Sequence, residues 1–129
     1  MGERPTAVEL LEAVSATLAE EVLPQVPHEL RYSLRMAANA IGIALRDLVG
    51  GEEADRQEAA SAAALYDEPM TERAGELAAE LVERLNRRLA AEIRAGRFDP
   101  PDREAALRRH LMRAASARTA ISNPKALKE

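Results

Sequence analysis

Three aromatic side chains, Tyr32, Tyr66 and Phe98, are all that 129 residues provide, and Trp is absent. A core without aromatics has to be filled by Leu, Ile, Val and Ala, and Ala is abundant here. Ala has the best helix propensity and lets helix backbones approach closely. Residues that favour strands are few. The expected fold class is therefore all-α: a compact bundle of about five helices with mainly antiparallel neighbours. The apolar fraction, 47%, is ordinary for a globular protein. A chain of this length is expected to form a single helical domain over 1–129.

Apolar spacing and punctuation divide the chain. Thr6 and Glu9 match a capping box and open a first helix over 6–22. Its stripe is Ala7, Leu11, Val14, Leu18 and Val22. Pro24 and Pro27 end it, because proline lacks a donor and fixes φ. A second helix is expected over 28–49, with Leu30, Leu34, Ala37, Ile41, Leu45 and Leu48 in line. Arg31, Arg35, Asn39 and Arg46 form a narrow polar line, so this helix is expected to be central and the most buried. Gly50-Gly51 is expected to stop it. A third, Ala-rich helix over 52–65 has high propensity but little to pack with, and is expected to act as a flap or cover. Tyr66 to Met70 reads as a loop. A fourth helix is expected over 71–95, capped by Gly96 and carrying the favourable pairs Glu80–Arg84 and Glu83–Arg87. The rigid turn Phe98-Asp99-Pro100-Pro101 leads to Asp102, the expected cap of a fifth helix over 102–121. Ser122-Asn123-Pro124 ends it.

Composition narrows the function. A formal net charge of −4 and scarce aromatics disfavour nucleic acid. Cys is absent, which removes disulfides, thiolate nucleophiles and cysteine metal sites. No apolar run is long enough to cross a membrane, and the opening lacks a signal-peptide core, so the cytoplasm is the expected location. Sixteen of the 18 basic residues are Arg, which reads as the codon bias of a GC-rich bacterium.

Catalytic and metal chemistry find little support. His28 and His110 are the only imidazoles, and neither follows a Glu at the Glu-x-x-His spacing of di-iron bundles. No metal site, cofactor or catalytic residue is assigned. His28 is expected to be exposed and His110 to border an apolar stripe. No serine sits in a Gly-x-Ser-x-Gly turn. Glu20-Glu21 and Glu52-Glu53 are sequence neighbours that point about 100° apart on a helix, so they are solvated charges.

Arginine is the distinctive chemistry. Arg35, Asn39 and Arg46 fall within about 40° of each other at roughly 100° per residue. They form either a fork-like site for a phosphate or carboxylate or the hydrated face of an apolar helix. Arg103, Arg108, Arg109, Arg113 and Arg118 make the last helix basic. They meet acidic helices of the same chain, an acidic partner, or the phosphates of a coenzyme A. Arg118 falls among Leu107, Leu111, Ala114 and Ile121, so it needs a carboxylate partner or it costs several kcal/mol.

Four stretches together resemble a known family. They are Arg4-Pro5-Thr6-Ala7-Val8-Glu9-Leu10-Leu11-Glu12-Ala13-Val14, Arg35-Met36-Ala37-Ala38-Asn39-Ala40-Ile41, Leu85-Asn86 to Ile93-Arg94-Ala95-Gly96-Arg97-Phe98-Asp99, and Ile121-Ser122-Asn123-Pro124. In this order they look like a bacterial family of small helical proteins catalogued as a domain of unknown function. Such members are typically encoded beside acyl-CoA dehydrogenases and aminoglycoside-phosphotransferase-like kinases. The resemblance implies a companion of acyl-CoA or related catabolic enzymes. A phosphotransferase name would reflect that neighbourhood, since this chain has no kinase phosphate loop or catalytic Asp loop.

The expected function is a non-enzymatic accessory or interaction protein. Its partner would be a second copy of itself, making a homo-oligomer, or a neighbouring acyl-CoA dehydrogenase or kinase-like protein. The alternative is a binding module for an acyl-CoA or another anionic metabolite, using Arg35, Asn39, Arg46 and Arg118. That alternative places an aliphatic pocket between the second and fifth helices, with Arg at its mouth.

Overall fold

The computed structural model describes residues 3–68 and 72–128, and among these it is helical with no strand. Four α-helices appear: α1 (Ala7–Thr17), α2 (His28–Ala64), α3 (Ala78–Arg94) and α4 (Pro101–Ser122). The all-α expectation holds, but with four helices in place of five. The chain divides into two compact units, Met1–Gly50 and Gly51–Glu129.

The count differs because Gly50-Gly51 does not stop α2, which runs through both glycines for 37 residues. Each Gly costs a helix about 1 kcal/mol relative to Ala. The next turns outweigh that cost, since they hold Ala and no Pro. Glu52 pairs with Arg56 at 2.6 Å and Glu53 accepts from the Gln57 amide at 3.2 Å, both at (i, i+4). The chain need not exploit the freedom of a glycine that its neighbours hold in the helix.

In the first unit, the Thr6 hydroxyl caps α1 by accepting from the Glu9 N–H at 3.2 Å. The Glu9 carboxylate accepts in turn from the Thr6 hydroxyl and from the Arg4 guanidinium. After Thr17 the helix widens into a π-turn (Leu18–Val22) and tightens into a 3₁₀ turn (Leu23–Gln25). Pro24, which has no N–H to continue an α-helical ladder, lies inside that second turn. No described residue of this unit is buried. The expectation that 28–49 is the most buried helix is therefore overturned. Leu34, Ile41 and Leu45 are half-buried, while Leu30, Ala37 and Leu48 are exposed.

In the second unit the Ala-rich end of α2 is core, not cover. Ala59, Ala62 and Ala63 are 5% exposed or less. Ala59 and Ala62 pack on Leu81, Val82 and Leu85 of α3. A methyl-sized side chain makes few contacts alone, but it lets two helices close up, so the larger partner residues become buried. Each such Leu or Val contributes about 1.5–3 kcal/mol. A second cluster joins Leu89 of α3, Phe98 and Leu107 of α4, with Leu65 and Tyr66 against it.

α3 starts later than expected. Thr71 lies outside the described residues, and Glu72 to Leu77 are not helical. Gly75 takes φ +74°, and Glu76 turns back to accept from Arg84 at two distances of 3.0 Å. The Arg84 guanidinium holds the Glu76 carboxyl at a pKa of about 2. Glu80 caps the start by accepting from the Leu77 N–H at 3.0 Å. The other end follows expectation: Gly96 stops α3 at φ +83°. An added Cβ would stand 3.0 Å from Asp99 Oδ2. α4 begins one residue early, at Pro101, so Asp102 sits in its first turn instead of capping it. Pro is suited to that first position, where its missing donor has no helical partner to lose.

Candidate functional site

The buried polar chemistry lies in the second unit, on three helices. Glu58 of α2 has a side chain 7% exposed. Its Oε2 accepts from Asn86 Nδ2 of α3 at 3.1 Å and from Arg118 Nη2 of α4 at 2.6 Å. His110 of α4 is 3% exposed, and its Nδ1 lies 2.7 Å from Ser61 Oγ. Ser61 stands three residues after Glu58, so both project from one face of α2. Their background is Ala, which gives close helix contact and brings the three polar helix faces together.

A cavity of about 430 Å³ opens beside this cluster. Glu58, Asn86, His110 and Arg118 form its polar side, and Leu89, Ala90, Ile93, Leu111, Ala114 and Ala115 its apolar side. A neighbouring cavity of about 380 Å³ shares His110 with it, is lined also by Ser61, and is edged by Arg103, Arg109 and Arg113.

The cluster explains Arg118, whose required carboxylate partner is Glu58. Arg118 is less deeply placed than its apolar neighbours suggested, with a side chain 64% exposed. The helix face turned inward carries Leu107, His110, Ala114, Ala117 and Ile121, and Leu111 is 46% exposed. Arg118→Ala should lower stability by about 1–2 kcal/mol in urea unfolding. It leaves a buried carboxylate short of one charged hydrogen bond, discounted for the exposed guanidinium. Glu58→Gln, which keeps the shape and removes the charge, should cost less.

His110 is packed, and burial is the main cause that pulls its pKa below the usual value. The Glu58 charge opposes that shift, while Arg113 and Arg118 add to it. The folded-state pKa is the lower one, so the unfolded chain takes the proton first. The stability His110 contributes is present above about pH 6.5 and is lost as pH falls through the depressed value. Urea unfolding across that window should weaken toward acid, and His110→Gln should flatten that part of the profile.

Arg35, Asn39, Arg46 and Arg31 belong to the first unit, apart from this cluster in sequence. Arg35 and Asn39 are exposed on α2 in the first unit. Arg46 is half-buried and lays its guanidinium along Gly42, Nη1 being 3.4 Å from where a Cβ would stand. Arg31 is half-buried, with its Nε enclosed and lacking a hydrogen-bond partner. Arg108 pairs with Glu104 of its own helix, and Arg103 donates to the Leu65 carbonyl at 3.4 Å. His28 is exposed.

Glu58, Ser61 and Asn86 were not singled out in the sequence. A signal existed: Glu58 and Ser61 are the only polar residues from 58 to 64, in an otherwise all-Ala stretch. Among the described residues no group of three or more His, Asp or Glu could hold a metal ion. No described helix is long and apolar enough to cross a membrane.

Fold and site define a small all-helical protein with a buried carboxylate–imidazole cluster at a cavity. The chain belongs to the family described as Domain of unknown function (DUF6285), whose profile matches residues 24–126. The match takes in α2, α3 and α4 and leaves α1 outside. No curated protein and no solved structure matches the chain.

Proposed function

We propose that this chain is a non-enzymatic interaction protein that pairs with a second copy of itself through its first unit. The observation that carries this reading is the exposure of that unit's apolar residues. Leu10, Val14, Leu30, Tyr32, Met36, Leu48 and Val49 are each at least 47% exposed. Large exposed apolar faces mark interaction sites. On α2 the exposed Leu30, Ala37 and Ala44 recur every seven residues, with Leu48 one turn beyond. A seven-residue repeat suits a helix as partner, and the small Ala side chains let it come close. A second copy brings the matching helix by symmetry, and twofold dimers are the commonest assemblies.

The site chemistry supports a non-catalytic role. Ser61 Oγ and His110 Nδ1 have nucleophile–base spacing. Ser61, however, lies inside α2, where the surrounding N–H groups are committed to the helix. No main-chain donors remain there to hold an oxyanion.

The resemblance adds a bacterial setting and a second partner, an acyl-CoA dehydrogenase or a kinase-like protein encoded nearby. Two differently tagged copies of the chain, expressed together, should co-purify through either tag. Copies that never mix would overturn self-association. Failure of the neighbouring dehydrogenase to co-purify with either copy would remove the second partner.

A further inference from the structure

Glu58 is an odd residue to bury. A carboxylate out of water costs several kcal/mol unless it is well paired, and an apolar residue of similar size is often as stable or more so. Its surroundings are Ala and Leu, which would accept such a residue. Its cation is supplied by Arg118, whose side chain remains 64% exposed while Glu58 is 7% exposed. The charge is thus fixed on the inside and its partner reaches in from solvent. Beside the pair lies the cavity of about 430 Å³, within the usual range of small-molecule sites, about 300–1,000 Å³.

Polarity is divided along that cavity. Glu58 and Asn86 sit at one side, and Leu89, Ile93 and Leu111 form the apolar side. Burial lowers the His110 pKa, which favours its uncharged form beside the cavity. An ammonium group presents three donors and no acceptor, which suits the Glu58 carboxylate and the Asn86 amide oxygen. A short hydrocarbon chain attached to it would cover Leu89, Ile93 and Leu111. An anionic head would instead face the Glu58 charge at low dielectric.

We propose that this cavity binds aliphatic primary amines, and that Arg118 holds the place of the ammonium in the unoccupied chain. An incoming amine exchanges one cation for another at Glu58, and the guanidinium moves out into solvent.

The test uses the full chain with n-hexylammonium, hexanoate and hexanol at one fixed pH, followed by NMR and calorimetry. Hexylammonium should shift the Asn86 side-chain amide and the methyls of Leu89, Ile93 and Leu111. Arg118→Gln removes the competing cation and should tighten hexylammonium by about tenfold. Glu58→Gln should abolish binding. If that variant fails to fold, the Arg118→Gln comparison decides alone. The proposal is overturned if hexanoate or hexanol binds as well as the amine. It is equally overturned if Arg118→Gln binds hexylammonium no more tightly than the native chain, or if neither protein binds it.

Discussion

Phe98→Ala should lower the unfolding free energy by about 3–5 kcal/mol, the usual loss when a buried phenyl ring leaves a cavity. Phe98 is the only Phe in the chain and is 4% exposed. It fills the space between Leu89 of α3 and Leu107 of α4. Tyr66 meets it edge-on, with ring centres 6.0 Å apart, and Arg103 lies 5.3 Å above its face. Ala and Leu cannot fill that gap from their helix positions. Thermal unfolding should show the midpoint lowered by on the order of 10 °C. A loss below about 1 kcal/mol would mean that this corner is not packed as described.

Leu30→Lys should separate the proposed pair of chains while leaving each one folded. Leu30 is 53% exposed and Leu48 56% exposed, so neither anchors the fold of its own chain. In a symmetric dimer each change is made twice. At about 1.5–3 kcal/mol for each buried Leu, one substitution should weaken association by about two to four orders of magnitude. Leu48→Lys should act in the same direction. Circular dichroism should report unchanged helix content, and light scattering should report the mass of one chain. A variant that keeps the native mass would place the contact elsewhere.

Local signals in the sequence were legible where one residue decides the geometry. Thr6 caps α1, Gly96 ends α3 in a left-handed turn, and Arg118 finds the carboxylate that its position demands. Gly50-Gly51 misled because a glycine permits a helix end without imposing one. The outcome rests on the turns beyond, where Glu52, Arg56 and Ala residues favour continuation. Burial was the least legible property. A strong apolar stripe in 28–49 looked like a core helix, and a run of Ala in 52–65 looked like a cover. The structure reverses them, because burial depends on what packs opposite. Leu81, Val82 and Leu85 lie opposite Ala59 and Ala62, whereas the Leu30, Ala37 and Leu48 line has no buried residue. The site was legible only at Arg118, since Glu58, Asn86 and Arg118 come together from three helices across 60 residues.

In the proposed dimer, a second copy of this chain covers the apolar face of the first unit. Sedimentation velocity on the native protein, from about 1 to 100 µM, measures this directly. The proposed dimer should run as one species of about 28 kDa, twice the 14.1 kDa chain, giving way to monomer only at the lowest concentrations. A single 14.1 kDa species across the whole range would contradict it.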